Sequence, residues 1–114
     1  TVAALYEALD RRELSVFAVI DHAAGAAAVD MTLSPSTLII FGSPRGGTPL
    51  MQADPLMGAE LPLRALVFDR DGQTVLAMTG MDFLARNYNL ENRTSVIKAV
   101  SELINSIANE ATSL

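Results

Sequence analysis

His22 is the one histidine in a chain of 114 residues, and it follows Asp21 at the end of the apolar run Ser15 to Ile20. Imidazole titrates nearest to neutral pH of the side chains, so His22 is the candidate general acid or base. The second candidate is the stretch Gly42-Ser43-Pro44-Arg45-Gly46-Gly47-Thr48-Pro49. Its glycines let successive amides point at one spot, a helix beginning after it adds a positive dipole, and Arg45 brings a forked cationic donor. That is the chemistry of an anion grip, which makes Gly42, Arg45, Gly46, Gly47 and Thr48 the candidate ligand-binding residues with His22. The expected site is a crevice between the Asp21-His22 strand end and the Gly42 to Thr48 turn. Each feature also has a plainer reading: a strand-to-helix turn needing positive backbone angles with Arg45 solvated, and a histidine that only completes a hydrogen bond.

The run matches neither the phosphate loop ending in Gly-Lys-Ser/Thr nor the Gly-x-Gly-x-x-Gly dinucleotide fingerprint. Ser43 lacks the Gly-x-Ser-x-Gly elbow of serine hydrolases. With no cysteine and a single histidine, no thiolate chemistry and no usual metal site is expected, and the residues imply no cofactor. Asp69 and Asp71 read as turn residues rather than paired acids, and the five methionines as packing.

The net charge of −5, with its basic residues scattered, argues against a nucleic-acid partner. No apolar run approaches the ~20 residues that cross a bilayer, so no membrane insertion is expected. Half of the residues are hydrophobic and 18% are charged, a thin polar surface that predicts burial between subunits and hence a homodimer. The length suits a single domain over residues 1–114.

These candidates need elements to hold them. Val2, Leu5, Tyr6 and Leu9 share one helical face, and Ser15 to Ile20 reads as a strand covered or paired on both faces. An alanine-rich helix over His22 to Val29 follows, capped by Asp21, with Gly25 permitting close packing. A second strand spans Thr37 to Phe41. Thr48-Pro49 predicts a helix start at Pro49, running to about Ala53, and Asp54-Pro55 predicts a further helical turn. The apolar runs Leu63 to Phe68 and Thr74 to Thr79 flank Asp69-Arg70-Asp71-Gly72 and read as an antiparallel hairpin. A short helix from Met81 to about Tyr88 and a long one from about Asn92, with Val96, Ile97, Val100, Leu103, Ile104 and Ile107 on one face, complete the chain. The expected fold is α+β: a two-layer sandwich with a small mixed or antiparallel sheet of about four strands and helices packed on it.

The order Ile20-Asp21-His22-Ala23-Ala24-Gly25-Ala26, then Leu38 through Gln52, then Leu61-Pro62-Leu63-Arg64-Ala65-Leu66-Val67 resembles the bacterial domain-of-unknown-function family 302. The likeness runs over about residues 1 to 90, and His22, Gly42, Pro44, Gly47, Thr48, Pro49 and Gln52 match its pattern. It implies an α+β domain that tends to dimerise, with no assigned activity. Similar proteins carry a further strand before the first helix, so an edge of the sheet is expected to be missing from this sequence. Some relatives carry a secretion signal, which leaves cytoplasm and periplasm both open. The resulting functional expectation is a homodimeric binding module for a small anionic or polar ligand. The alternatives are an enzyme with His22 as acid or base and the Gly42 to Thr48 turn as oxyanion or phosphate site, and a purely structural homodimer.

Overall fold

In the computed structural model, which describes residues 2–112, Asp71 and Gly72 have φ of 53° and 84°. Two consecutive residues with positive φ make the tight turn whose twist matches that of antiparallel strands. They join β3 (Leu63–Arg70) to β4 (Gln73–Met78), so the hairpin forms where expected, with Asp69 and Arg70 still paired in the strand.

The remaining elements are α1 (Val2–Arg11), β1 (Ser15–Asp21), α2 (His22–Ala27), β2 (Ser36–Gly42), α3 (Pro44–Ala53), α4 (Met81–Asn87) and α5 (Thr94–Thr112), with short 3-10 helices at Pro55–Ala59 and Glu91–Arg93. The strands form one sheet in the order β1-β2-β3-β4, and every neighbouring pair is antiparallel. The α+β sandwich therefore stands, with an antiparallel sheet rather than a mixed one.

Strand register sorts the side chains by face, because cross-strand partners point the same way. Ile39 pairs with Ala65 and Ala65 with Met78; this row faces the helices, where Leu5, Ala8 and Leu9 of α1 and Ile107 and Ala111 of α5 close the core over Ile39, Phe41, Ala65 and Val67. α1 ends in a left-handed residue, Glu13 (φ 55°), with Glu13 N–H donating to Asp10 and Leu14 N–H to Leu9, the paired bonds of a Schellman stop. Arg12 then ties α1 to α5, its guanidinium donating to Glu110 Oε1 (3.2 Å) and Ser106 Oγ (2.6 Å). A second cluster, Leu50, Met57, Met81, Leu84, Leu90, Val100 and Ile104, packs α3 and α4 against the N-terminal half of α5.

Two expectations fail at the other edge. The sequence predicts a strand covered or paired on both faces; β1 pairs with β2 along one side, yet each of its seven residues is exposed: it is the sheet's edge, and it contributes no residue to the core that the helices close over β2 and β3. α2 is shorter than expected and buries nothing; a Cβ at Gly25 would meet no atom within 4 Å, so no close packing requires that glycine. Asp21 does cap α2, accepting the Ala24 N–H at 2.9 Å.

Candidate functional site

The Gly42 to Thr48 stretch is helix rather than loop from Pro44 onward. Ser43-Pro44 supplies the N-cap and first-turn proline expected at Thr48-Pro49, and Pro49 lies inside α3. An interior proline removes a ladder bond and crowds the carbonyl four residues before it, at a cost of about 3 kcal/mol; the Pro49 carbonyl accepts from Arg93 Nε at 2.9 Å, a bond that ties α3 to the segment before α5.

This placement spends the amides of the expected anion grip. Arg45 N–H donates to Ser43 Oγ at 3.3 Å, and Gly46 and Gly47 N–H both donate to the Ser43 carbonyl at 3.1 Å. Arg45 is exposed and its guanidinium has no ion pair among the described residues. His22 is not near. Ser15 pairs with Gly42, whereas Asp21 pairs with Thr37, so antiparallel pairing puts His22 at the opposite end of β1, about 20 Å away at ~3.3 Å per residue. The expected crevice between the Asp21-His22 strand end and the Gly42 to Thr48 turn does not form. His22 is exposed at the start of α2, with no side-chain hydrogen bond among the described residues.

The turn residues border something else. A cavity of about 420 Å³ opens where the two core clusters meet, lined by Gly42, Ser43, Pro44, Gly46, Gly47 and Thr48 on one side and by Phe17, Met51, Leu61, Pro62, Leu63 and Leu103 on the others, with Arg12, Leu14, Leu50 and Val100 completing the wall. Its volume falls in the range of small-molecule sites. Phe17 reaches it because a register shift between Val16 and Ala18 leaves Phe17 unpaired, a bulge that re-aims its side chain. Leu61 and Pro62 are joined by a cis peptide.

Three glycines, Gly42, Gly46 and Gly47, lie in the wall. None has positive φ, so the backbone does not demand glycine at these positions. A Cβ at Gly46 would meet nothing within 4 Å; one at Gly47 would lie 3.4 Å from Leu61 Cδ1 and 3.8 Å from Met51 Cε; one at Gly42 would lie 3.5 Å from Pro62 Cβ and 3.9 Å from Phe17 Cε2. The neighbours named are themselves cavity wall. Glycine in a helix costs about 1 kcal/mol against alanine, and α3 carries two in its first turn.

The sequence singles out Gly42, Gly46, Gly47 and Thr48 for an anion grip, whereas the structure places them in the wall of a cavity; Phe17, Met51, Leu61 and Leu103, also in that wall, are not singled out for it. The cap-then-proline pattern read at Thr48-Pro49 and Asp54-Pro55 is equally present at Ser43-Pro44. Read there, it places two glycines inside a helix. The bulge at Phe17 leaves no comparable trace.

The model of the family described as "Domain of unknown function DUF302" matches residues 1–111. The chain belongs to the DUF302 family. A crystal structure titled as an uncharacterised conserved DUF302 protein from Bacillus stearothermophilus superimposes with a TM-score of 0.83 at 14% identity, over 96% of this chain and 87% of that one, a likeness of fold. The DUF302 chain is also 40% identical over 89 residues to a protein named fluoride-specific ion channel FluC 1 of Brucella suis, covering 76% of this chain and 35% of that protein. The same identity and length hold for FluC 1 of Brucella abortus, of which 33% is covered. This DUF302 domain thus spans about a third of the curated relatives it matches. No helix among its described residues is long and apolar enough to cross a membrane.

Proposed function

We propose that this DUF302 domain is a binding module whose ligand occupies the cavity at the β2–α3 junction. The observation that carries this reading is the glycine set of the wall. None of Gly42, Gly46 and Gly47 has a backbone conformation that requires glycine; a Cβ would meet nothing within 4 Å at Gly46 and would touch other residues of the cavity wall at Gly42 and Gly47, so their lack of side chains keeps space in the wall. A helix that carries two glycines in its first turn, where alanine has the higher helix propensity, and keeps a cavity open beside them is arranged around an occupant. A domain that makes up about a third of longer relatives also suits a module serving a larger protein.

The test is a thermal-shift screen of wild type and Gly47→Val against phosphate, nucleotides, coenzyme A esters, small carboxylates and medium-chain alcohols. The valine grows from a Cβ already in contact range of Leu61 and Met51 and fills the cavity. At least one compound should raise the Tm of wild type and leave that of Gly47→Val unmoved. Equal shifts in both proteins, or none in either, would contradict the reading. No arrangement of groups favours the enzyme alternative, since the one imidazole lies at the far end of β1.

Self-association is a second reading with its own observation. β1 is an edge strand without lysine or proline to guard it, and Val16, Phe17, Val19 and Ile20, with Val29, Met31 and Leu33 after α2, are 39–66% exposed. An unguarded apolar edge is a template for pairing with another strand. These side chains expose on the order of 700 Å², close to the ~800 Å² each partner contributes to a standard interface, and a second copy offers the same edge for antiparallel pairing.

A further inference from the structure

We infer that the β2–α3 cavity takes an uncharged, mainly aliphatic molecule of about eight to ten carbons with one hydroxyl or carbonyl group at its end. This rests on the cavity being the ligand site, and it reverses the polarity expected of a glycine-rich, arginine-bearing segment.

Charge decides the class. Arg12 is the one charged residue in the wall, and its guanidinium is engaged by the Ala8 carbonyl (2.8 Å), Glu110 Oε1 (3.2 Å) and Ser106 Oγ (2.6 Å). Arg45, the cation expected to grip an anion, is not part of the wall. The first-turn amides of α3 are spent on Ser43. A carboxylate or phosphate entering the cavity would shed its water beside a guanidinium already ion-paired with Glu110 and against amides spent on Ser43, a desolvation cost with little compensation. The wall it would meet is instead Leu14, Phe17, Met51, Leu61, Leu63 and Leu103.

Size and polarity set the rest. At about 30 Å³ for a group that takes the room of a water molecule in the liquid, and allowing for incomplete filling, 420 Å³ holds about ten non-hydrogen atoms. Thr48 is exposed and lines the cavity, and its hydroxyl has no partner among the described residues, so it is a wall group free to bond the polar end of a chain. Met51 on the wall adds an adaptable surface suited to a flexible chain.

The inference is tested by titrating the whole domain calorimetrically with 1-butanol through 1-nonanol, with the matching carboxylates and with inorganic phosphate, in wild type, Gly46→Leu, Gly47→Val and Val19→Lys. Each added methylene should tighten alcohol binding about fourfold, the ratio that corresponds to ~0.8 kcal/mol, until the chain fills the cavity. Carboxylates of equal length should bind more weakly and phosphate not at all. Both glycine variants should abolish alcohol binding. Val19→Lys, which alters the exposed edge and not the cavity, should leave it intact. Phosphate or short carboxylates binding tightest, with that binding lost in the glycine variants, would overturn the ligand class while the site stands. Chain-length dependence lost in Val19→Lys but kept in the glycine variants would overturn the inference by placing the alcohol on β1. If nothing binds wild type, the binding-module reading itself fails.

Discussion

Tyr88 donates to Glu60 Oε1 at 2.6 Å, and Glu60 Oε2 accepts from Arg64 Nη2 at 3.1 Å. Asp54 closes the same corner, taking Leu56 N–H on one oxygen and Asn89 N–H on the other. Glu60 and Arg64 flank the segment that holds Leu61 and Pro62, which line the cavity. The hydrogen bond to Glu60 raises the Tyr88 pKa above its ordinary 10.0, with partial burial and the negative charges of Glu60 and Asp54 adding to the rise and Arg64 opposing it. The protonated phenol is thus the form the fold prefers. Its contribution is complete below pH ~10 and is lost as pH climbs through the raised value. Melting curves of wild type and Tyr88→Phe should run parallel from pH 7 to about 9, with wild type more stable. Above pH ~10 the gap should close, and a gap that stays constant to pH 11 would show that the phenol proton does not serve this bond.

At the scale of elements, α3 decides how the glycine-rich stretch is read. A sequence shows Gly46-Gly47-Thr48-Pro49 as a turn leading to a helix because glycine pairs usually mark turns and Thr-Pro usually marks a helix start. Here Ser43-Pro44 claims the start one turn earlier, and the same glycines become gaps in a helical wall. Gly46→Ala should therefore raise helix propensity with no steric conflict, since the new Cβ meets nothing within 4 Å. The expected gain is about 1 kcal/mol in chemical denaturation, accompanied by weaker alcohol binding. A loss of stability would mean that glycine serves the helix and not the cavity. The strongly patterned elements were legible for a related reason. α5 repeats its apolar positions over nineteen residues, and Asp71-Gly72 has few conformations open to it other than a hairpin turn. β1 was misread because its apolar run is that of a covered strand, and whether a second layer covers an apolar strand is not written in the strand itself.

For the whole molecule, the cavity and the exposed edge meet at Phe17, which lines the first and is 55% exposed on the second. Sequence composition anticipated an apolar surplus at the surface, and the fold concentrates it on one strand and the connection that follows. The candidate site was legible only in part: its glycines were visible, but the distance between His22 and the turn depends on strand register, which pairing fixes and a single chain does not display. If β1 pairs with its counterpart in a second copy, sedimentation equilibrium should report twice the 12.1 kDa mass at micromolar concentration, and Val19→Lys should shift it to the single mass. A wild-type monomer under those conditions would contradict self-association and leave the cavity untouched.

The β2–α3 cavity, and not the His22 end of β1, is the binding place proposed for this DUF302 domain. Titration of isotopically labelled protein with 1-octanol, followed by amide and methyl resonances, tests it most directly. Saturable shifts are expected at the Gly46 and Gly47 amides and the Met51 methyl, with the His22 ring unmoved. Shifts centred on His22 or along β1, or no saturable shift anywhere, would contradict it.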